Sequence, residues 1–457
     1  MKSIVLKSLC VLTLLSVAGG SATAASEQLK LDVSPSSNLL KAGEKQNTWI
    51  RVGLQGFKLE SDKKRPGVNL AIVLDKSGSM QGEKIKRARE AAIDAIGLLQ
   101  ADDIVSIITY DSTVNVLVPA TKLTDKADVI AKIKSISIGG NTALFAGVSK
   151  GAAEVRKFLD KERVNRVILL SDGLANVGPS SPGELGNLGK SLVKENITVS
   201  TLGLGLGYNE DLMVQLASTS GGNHLFIEDA SELAEIFRKE FDDVLSVVAQ
   251  EIDVHVTLPE GIRPIRVLGN DADITGQKIV TRLAQIYSEQ DRHFVIEVEV
   301  PESEVKDKLE MASVSVTYAN MKTHAEDKLS GTAKCEFSDD ETKVAESVNR
   351  LVMADVVALV SSEQSKLATI YLDQGNFAAC RSVLRSNVDF LKVEAYKCPE
   401  NEGKLNALAL QNSWQLKQLE NVTSKDDEAA NRARKSFRGY QSEVDNQQRV
   451  KSQSDKD

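Results

Sequence analysis

Histidine, cysteine and aromatic side chains are all scarce in this chain of 457 residues, with four histidines, four cysteines and 4% Phe, Trp and Tyr. Each shortage removes a class of chemistry. His224, His255, His293 and His324 are scattered through strand-like segments, and neither an H-E-x-x-H helix nor a paired C-x-x-C occurs, which argues against a zinc site. G-x-S-x-G occurs as "GVSKG" at 147–151, but inside the helical stretch "ALFAGVSKGAAEVRKFL" and not at the strand-to-helix elbow that a serine hydrolase needs for its nucleophile. Few aromatics argue against a stacking surface for carbohydrate or nucleic acid. The formal net charge of −8 points the same way, since an acidic chain is repelled by nucleic acid and anionic lipid. Long apolar runs are absent after the first 25 residues; "LVMADVVALV" is too short to span a bilayer and is broken by Asp355.

What is present begins with a leader. Lys2 and Lys7 give a positive start, "IVLKSLCVLTLLSVAGG" supplies the apolar stretch, and small residues, "SATAAS", follow it. This is the pattern of a secretory signal peptide over residues 1–25, cut after Ala24 or Ala25, and it predicts an exported protein that is periplasmic, secreted or held at the cell surface. Cleavage removes Lys2 and Lys7 from a charge of −8 and leaves −10, with no transmembrane segment remaining. Cys335, Cys380 and Cys398 stay in the mature chain. In an oxidising compartment a Cys380–Cys398 disulfide is expected, because these two share one segment.

Periodicity divides the rest. Residues 26–66 read as short strands such as "TWIRVGLQGF", followed by the polar linker "KLESDKKRPG". From 67 to 250 the rhythm is strand, helix, strand, helix. "VNLAIVLD" and "NRVILLSDG" are unbroken apolar runs suited to parallel strands covered on both faces, and "GEKIKRAREAAIDAIGLLQ" carries one apolar helical stripe. This predicts a doubly wound α/β domain with a mostly parallel sheet. Residues 251–338 return to alternating strands, and 339–457 are helical, with a charged, glutamine-rich end after Thr423 that reads as a mobile tail or an exposed helix. Each set of flanking strands is too small to bury a sheet face alone, so the two are expected to combine into one β-sandwich with the α/β domain inserted between them.

The stretch "NLAIVLDKSGSMQGEK" sets Asp75 at the tip of a buried strand, with Ser77 and Ser79 just beyond. Ligands of open parallel sheets sit outside the carboxyl ends of the strands. Asp172 in "ILLSDG" ends a second strand, and Thr142 in "GGNTAL" opens the helix before it, with Gly139 and Gly140 allowing the bend that delivers it. Asp75, Ser77, Ser79, Thr142 and Asp172 are all oxygen donors, which favours a hard divalent ion, Mg²⁺, with Mn²⁺ or Ca²⁺ as alternatives. Hydroxyl ligands leave such an ion electrophilic and open to an anionic oxygen from outside. An aspartyl nucleophile for phosphoryl transfer would want a second carboxylate two residues on, where Ser77 stands. "LGLGLG" (Leu202 to Gly207) does not fit G-x-G-x-x-G, and its glycines are read as letting the chain leave a strand.

"DKSGSM" with Thr142 and "SDG" resembles the metal-ion-dependent adhesion site of von Willebrand factor type A domains, with Asp75, Ser77 and Ser79 as the Asp-x-Ser-x-Ser motif followed by Thr142 and Asp172. "DDIVSIITYD", "RVILLSDGLANVG" and "TLGLGLGYNEDLM" are similar to the bacterial exported members, which themselves resemble inter-alpha-trypsin inhibitor heavy chains and calcium-activated chloride channel regulators. The resemblance covers Val68 to about Gln250. It implies a six-stranded sheet, metal held by these five residues, and a non-enzymatic adhesion or scaffolding role in which the ion captures a Glu or Asp side chain of a protein partner. The competing expectation is an envelope structural or assembly module, in which the helical region makes the main contact and the metal only stabilises the fold.

Overall fold

The computed structural model describes residues 28–59, 65–420, 422–425 and 427–447. Residues 1–27, which include the expected leader, the middle of the linker "KLESDKKRPG" and residues 448–457 lie outside the described residues.

Strands β1 (Leu29–Pro35), β2 (Leu39–Lys41) and β3 (Gln46–Gly56) open the chain. The α/β unit follows: β4 (Gly67–Asp75), α1 (Glu83–Leu98), β5 (Ile104–Tyr110), β6 (Val114–Lys122), α2 (Lys126–Lys134), α3 (Leu144–Arg156) and β7 (Arg163–Ser171). It continues with α4 (Pro182–Lys194), β8 (Thr198–Leu204), α5 (Glu210–Ser220), β9 (His224–Ile227) and α6 (Leu233–Leu245). The strands return as β10 (Val247–Thr257), β11 (Arg263–Leu268), β12 (Ala272–Thr275), β13 (Lys278–Tyr287), β14 (Asp291–Val300), β15 (Lys308–Asn320) and β16 (Glu326–Ser338). Helices α7 (Glu341–Glu346), α8 (Arg350–Asp373), α9 (Phe377–Lys397), α10 (Glu402–Gln418) and α11 (Glu428–Asp445) close the chain.

The central sheet has the order β6-β5-β4-β7-β8-β9, and all its neighbours are parallel except the β5–β6 pair. From β4 the chain steps to β5 on one side and later crosses to β7 on the other, so strand order reverses at β4. That reversal opens a crevice at the carboxyl end of β4, where Asp75 sits. Both faces of the sheet are covered. Ile72 and Leu74 pack with Ala92 and Ile96 of α1, Ile133 of α2 and Phe241 of α6. Ala71 and Val73 pack on the other face with Val148 and Ala152 of α3, Leu185 of α4 and Leu212 of α5. Gly151 lets α3 approach, since a Cβ there would stand 2.7 Å from Val73.

The flanking strands form a β-sandwich. One sheet runs β1-β3-β14-β11 and the other β12-β13-β10-β15-β16-β2, and their inner faces share one core that includes Ile50, Val52, Val254, Phe294, Ile296, Val316 and Phe337. N-terminal β3 pairs antiparallel with β14 from Gln46↔Val300 to Gln55↔Asp291. The α/β unit is therefore inserted between β3 and β10. The join is polar and buried. Arg166 of β7 and Glu240 of α6, both 0% exposed at the side chain, pair at 2.5 Å. The guanidinium also donates to Thr198 Oγ1 (3.0 Å) and reaches across to Gln285 Oε1 (2.5 Å) and Tyr287 Oη (3.0 Å) of sandwich strand β13.

Two expectations need correction. Cys335, Cys380 and Cys398 are all free thiols and buried. Cys380 lies in the first turn of α9 and Cys398 just past its end, roughly 27 Å apart at 1.5 Å per residue. A disulfide needs Cα atoms within about 7 Å. One long helix, rather than a chain that turns back, thus rules the bridge out, and burial pushes the Cys380 thiol up to about 12. The described part of the end after Thr423 is likewise not a free tail: α11 docks through buried Ala430, Ala433 and Phe437 against α8 and α9, and Gly439 lies under Phe226 of β9. Lys435 of α11 is fully buried, donating to Tyr208 O (2.5 Å) and Glu210 Oε2 (2.6 Å). No helix among the described residues is long and apolar enough to cross a membrane.

Breaking the Arg166–Glu240 pair leaves a buried charge unmatched. Arg166→Met is expected to cost about 3–5 kcal/mol in urea unfolding, and Arg166→Met combined with Glu240→Leu to recover most of that loss. A single-variant loss below about 1 kcal/mol, the scale of an exposed pair, would contradict the role given to this join.

Candidate metal centre

Three loops meet at the carboxyl edge of the central sheet. The first follows β4. Asp75 is 0% exposed, and its Oδ1 accepts the Ser77 N–H (2.8 Å) while Oδ2 accepts the Ser171 hydroxyl (2.8 Å). This short turn aims Ser77 Oγ at Ser79 Oγ, 3.0 Å away. The second loop precedes α3. Gly139 N donates to Lys76 O (2.8 Å) and Gly78 N to Gly140 O (3.1 Å), which zips this segment to the first loop. Gly140 has φ +23° and rests on Ser112, where a Cβ would lie 2.5 Å from the hydroxyl oxygen. The bend presents Thr142, whose N–H is held by Asn176 Oδ1 (2.9 Å) and whose carbonyl accepts the N–H groups of Asn176 (3.2 Å) and Val177 (3.3 Å). The third loop follows β7. Asp172, 1% exposed, accepts from Ser79 Oγ on Oδ1 (2.7 Å) and from Lys84 Nζ on Oδ2 (2.6 Å). Gly173 closes the cradle, because a Cβ there would stand 3.0 Å from Thr142 Oγ1 and 3.3 Å from Ser79 Oγ.

Asp75, Ser77, Ser79, Thr142 and Asp172 are thus brought to one mouth. Four of them are buried, and Ser79 is the member exposed to solvent. Burial pushes the Asp75 carboxyl above its ordinary range, with the Asp172 charge adding to it, against hydrogen bonds from Ser77 and Ser171 that favour the ionised form. Two carboxylates and three hydroxyls with no nitrogen or sulfur match the donor preference of a hard divalent cation. Such an ion, when bound, supplies a Lewis-acidic centre that accepts an anionic oxygen.

The sequence reading did not include Ser171, Lys84 or the Lys76–Asp111 ion pair. Ser171 immediately precedes Asp172 in the same strand end, and Asp111 follows β5 as Asp75 ends β4, so position alone marks both. Burial would raise the Asp111 carboxyl, but hydrogen bonds from Lys76 and Thr113 outweigh it and hold it low. Lys84, nine residues after Asp75 on the first turn of α1, carried no motif signal. "LGLGLG" is the exit of β8: Gly205 has φ +70°, and Gly207 passes so close to Asp172 O that a Cβ would lie 2.8 Å from it. Of the histidines, His224 is buried between Thr201 Oγ1 (2.9 Å) and Tyr208 Oη (3.4 Å), and burial lowers it to about 3.

A second cluster, Asp291, His293 and Asp355, has potential ligand atoms within 4.8 Å of one another. Its carboxylates are already matched: Arg51 pairs with Asp291 (2.8 Å) and Asp355 (2.6 Å), and Lys404 with Asp355 (2.6 Å). This is an ion-pair hub holding α8 on the sandwich, and a divalent ion would have to enter beside two fixed cations.

A profile of the von Willebrand factor type A domain matches residues 69–239, and these residues form such a domain. Domains of this type often mediate protein–protein interaction through a divalent-metal site. The chain is 28% identical over 227 residues to the uncharacterized protein YfbK of Escherichia coli (strain K12), which covers 49% of this chain and 39% of that protein. It is 26% identical over 193 residues to inter-alpha-trypsin inhibitor heavy chain H2 of Sus scrofa, covering 40% of this chain and 20% of the relative. The chain therefore spans well under half the length of these curated relatives. Among solved structures, a von Willebrand factor type A protein from Catenulispora acidiphila superposes with a TM-score of 0.68 at 16% identity, over 88% of this chain and 91% of that one. That likeness is one of fold, and it extends beyond the α/β unit.

Gly173→Ala is expected to lower divalent-ion affinity about tenfold by pushing Thr142 and Ser79 apart, with unfolding otherwise little changed. Titration with Mn²⁺ followed by electron paramagnetic resonance reads the affinity; an unchanged value would mean that Thr142 and Ser79 are not held at ligand spacing by this glycine.

Proposed function

We propose that this is an exported, non-enzymatic adhesion or scaffolding protein that holds a protein partner through a divalent ion, Mg²⁺ in the first instance, on Asp75, Ser77, Ser79, Thr142 and Asp172. The observation that carries the reading is the convergence of these five oxygen donors at the strand-order reversal, with Ser79 facing solvent. Asp75 and Asp172 supply the balancing charge, directly or through water, while the three hydroxyls are neutral contacts that leave the ion electrophilic. An acidic side chain from outside is the natural further ligand, so the partner offers a Glu or Asp carboxylate. Leu174, 59% exposed and two residues past Asp172, adds an apolar contact beside the mouth. The leader-like pattern of residues 1–25 supports an activity outside the cytoplasm, in the periplasm, at the cell surface or in the medium.

A second reading has one observation in its favour. Val393 and Tyr396 of α9 are 55% and 89% exposed, and Leu410 of α10 is 71% exposed, so the helical region also offers apolar surface. There the metal would serve only to fix the loops of the α/β domain.

Four samples separate the readings: wild type and Asp75→Ala, each with Mg²⁺ and with EDTA, used as bait in envelope extract and followed by thermal unfolding. The adhesion reading expects a partner held only by wild type with Mg²⁺, and a metal-induced rise in unfolding temperature that Asp75→Ala abolishes, because a ligand of the folded state stabilises it by mass action. Equal capture in all four samples would assign the contact to the helices or the sandwich.

A further inference from the structure

Asp172 is shared by two donors from different sides. Ser79 Oγ, a member of the proposed ligand set, holds Oδ1 at 2.7 Å. Lys84 Nζ holds Oδ2 at 2.6 Å, and Lys84 belongs to no loop of the site but to the first turn of α1. The Asp172 side chain is 0% exposed and that of Lys84 34%, so the pair joins a buried anion to a cation at the rim. Among the described residues Asp172 is the one carboxylate in an ion pair with Lys84. The other flanking lysine, Lys76, is matched by Asp111. Lys84 is thus a cation whose partner is itself needed by the metal. On the side facing β8, Gly205 leaves room for the ammonium, since even a Cβ there would stand 3.6 Å from Nζ.

We propose that Lys84 is a built-in competitor of the divalent ion, which sets the affinity of the site by sharing Asp172 with it. The inference rests on the metal-site reading above. A divalent ion on Asp75 and Asp172 brings two positive charges to within a few ångströms of the ammonium. The ion must weaken or displace the Lys84–Asp172 bond and then bear the repulsion of the amine. The donor set alone would bind more tightly than the protein does. A displaced ammonium stays at the rim, where it adds a positive charge to the face an acidic ligand approaches.

The test is Mn²⁺ titration of the mature full-length chain, read by electron paramagnetic resonance, for wild type, Lys84→Met, Lys84→Arg and Asp75→Ala. Lys84→Met is expected to bind Mn²⁺ about tenfold more tightly than wild type, and Lys84→Arg, which keeps the charge, to stay within about threefold of it. In thermal unfolding, Lys84→Met should melt below wild type in EDTA yet gain more from saturating Mn²⁺; a merely structural lysine would lower both melts equally. Wild-type and Lys84→Met affinities that are the same, or a weaker Lys84→Met, would overturn the inference while leaving the metal site standing. Absence of Mn²⁺ binding in both, or binding undiminished in Asp75→Ala, would overturn the reading of the site and the inference with it.

Discussion

Two carboxylates buried at the ends of neighbouring strands are the constraint around which the α/β unit is arranged. Asp75 and Asp172 are 0% and 1% exposed, and burial, with the charge of Asp172 added, raises the cost of ionising Asp75. A buried carboxylate is tolerated only when its oxygens are occupied by donors and its charge is matched. The chain meets the first requirement locally: the Ser77 amide and Ser171 hydroxyl serve Asp75, and Ser79 and Lys84 serve Asp172. It meets the second incompletely, since one ammonium faces two anions once Lys76 is set against Asp111. The net negative charge that remains, surrounded by hydroxyls, is what would draw a divalent cation on the reading proposed above. The strand-order reversal at β4 places this charge at the carboxyl edge of the sheet, beneath the exposed Ser79.

The rest of the molecule keeps that crevice at a fixed position relative to other surfaces. Insertion between β3 and β10 gives the α/β unit two covalent connections to the sandwich, and β10 starts two residues after α6 ends. Arg166, paired with Glu240, then ties the join by hydrogen bonds to Gln285 and Tyr287 of the sandwich. On the far side α11 grips the loop between β8 and α5, with Asn431 donating to Leu206 O (3.0 Å) and Lys435 to Tyr208 O (2.5 Å). The same loop touches the backbone of Asp172 at Gly207. The sandwich, the helices and the metal-site edge are therefore one packed body, with contacts leading from the C-terminal helix to the ligand-bearing loops.

The α/β alternation was legible because parallel strands buried on both faces are written as unbroken apolar runs, and "VNLAIVLD" and "NRVILLSDG" each became a strand ending beside an aspartate. The five donors were legible because their spacing follows the strand ends. Lys84 was not, because a lysine on an amphipathic helix looks like any solvated charge until the neighbouring loop is placed. Helix α11 was misjudged for a related reason. Its buried stripe is alanine, lysine and glycine around the single aromatic Phe437, so its hydropathy resembles that of an exposed helix. Docking there depends on close backbone approach and on the match of Lys435 with Glu210, neither of which a hydrophobic pattern reports. The cysteines failed as a guide because "FAACRSVLRSNVDFLKVEAYK" is one continuous helix and keeps Cys380 and Cys398 at opposite ends.

The account depends most on where a divalent ion binds. Crystals of the protein equilibrated with Mn²⁺ and measured at the manganese absorption edge would locate it directly. The account expects one strong anomalous peak among the oxygens of Ser77, Ser79, Thr142, Asp75 and Asp172, either direct or through water. No peak at this edge, or a peak instead between Asp291, His293 and Asp355, would contradict it.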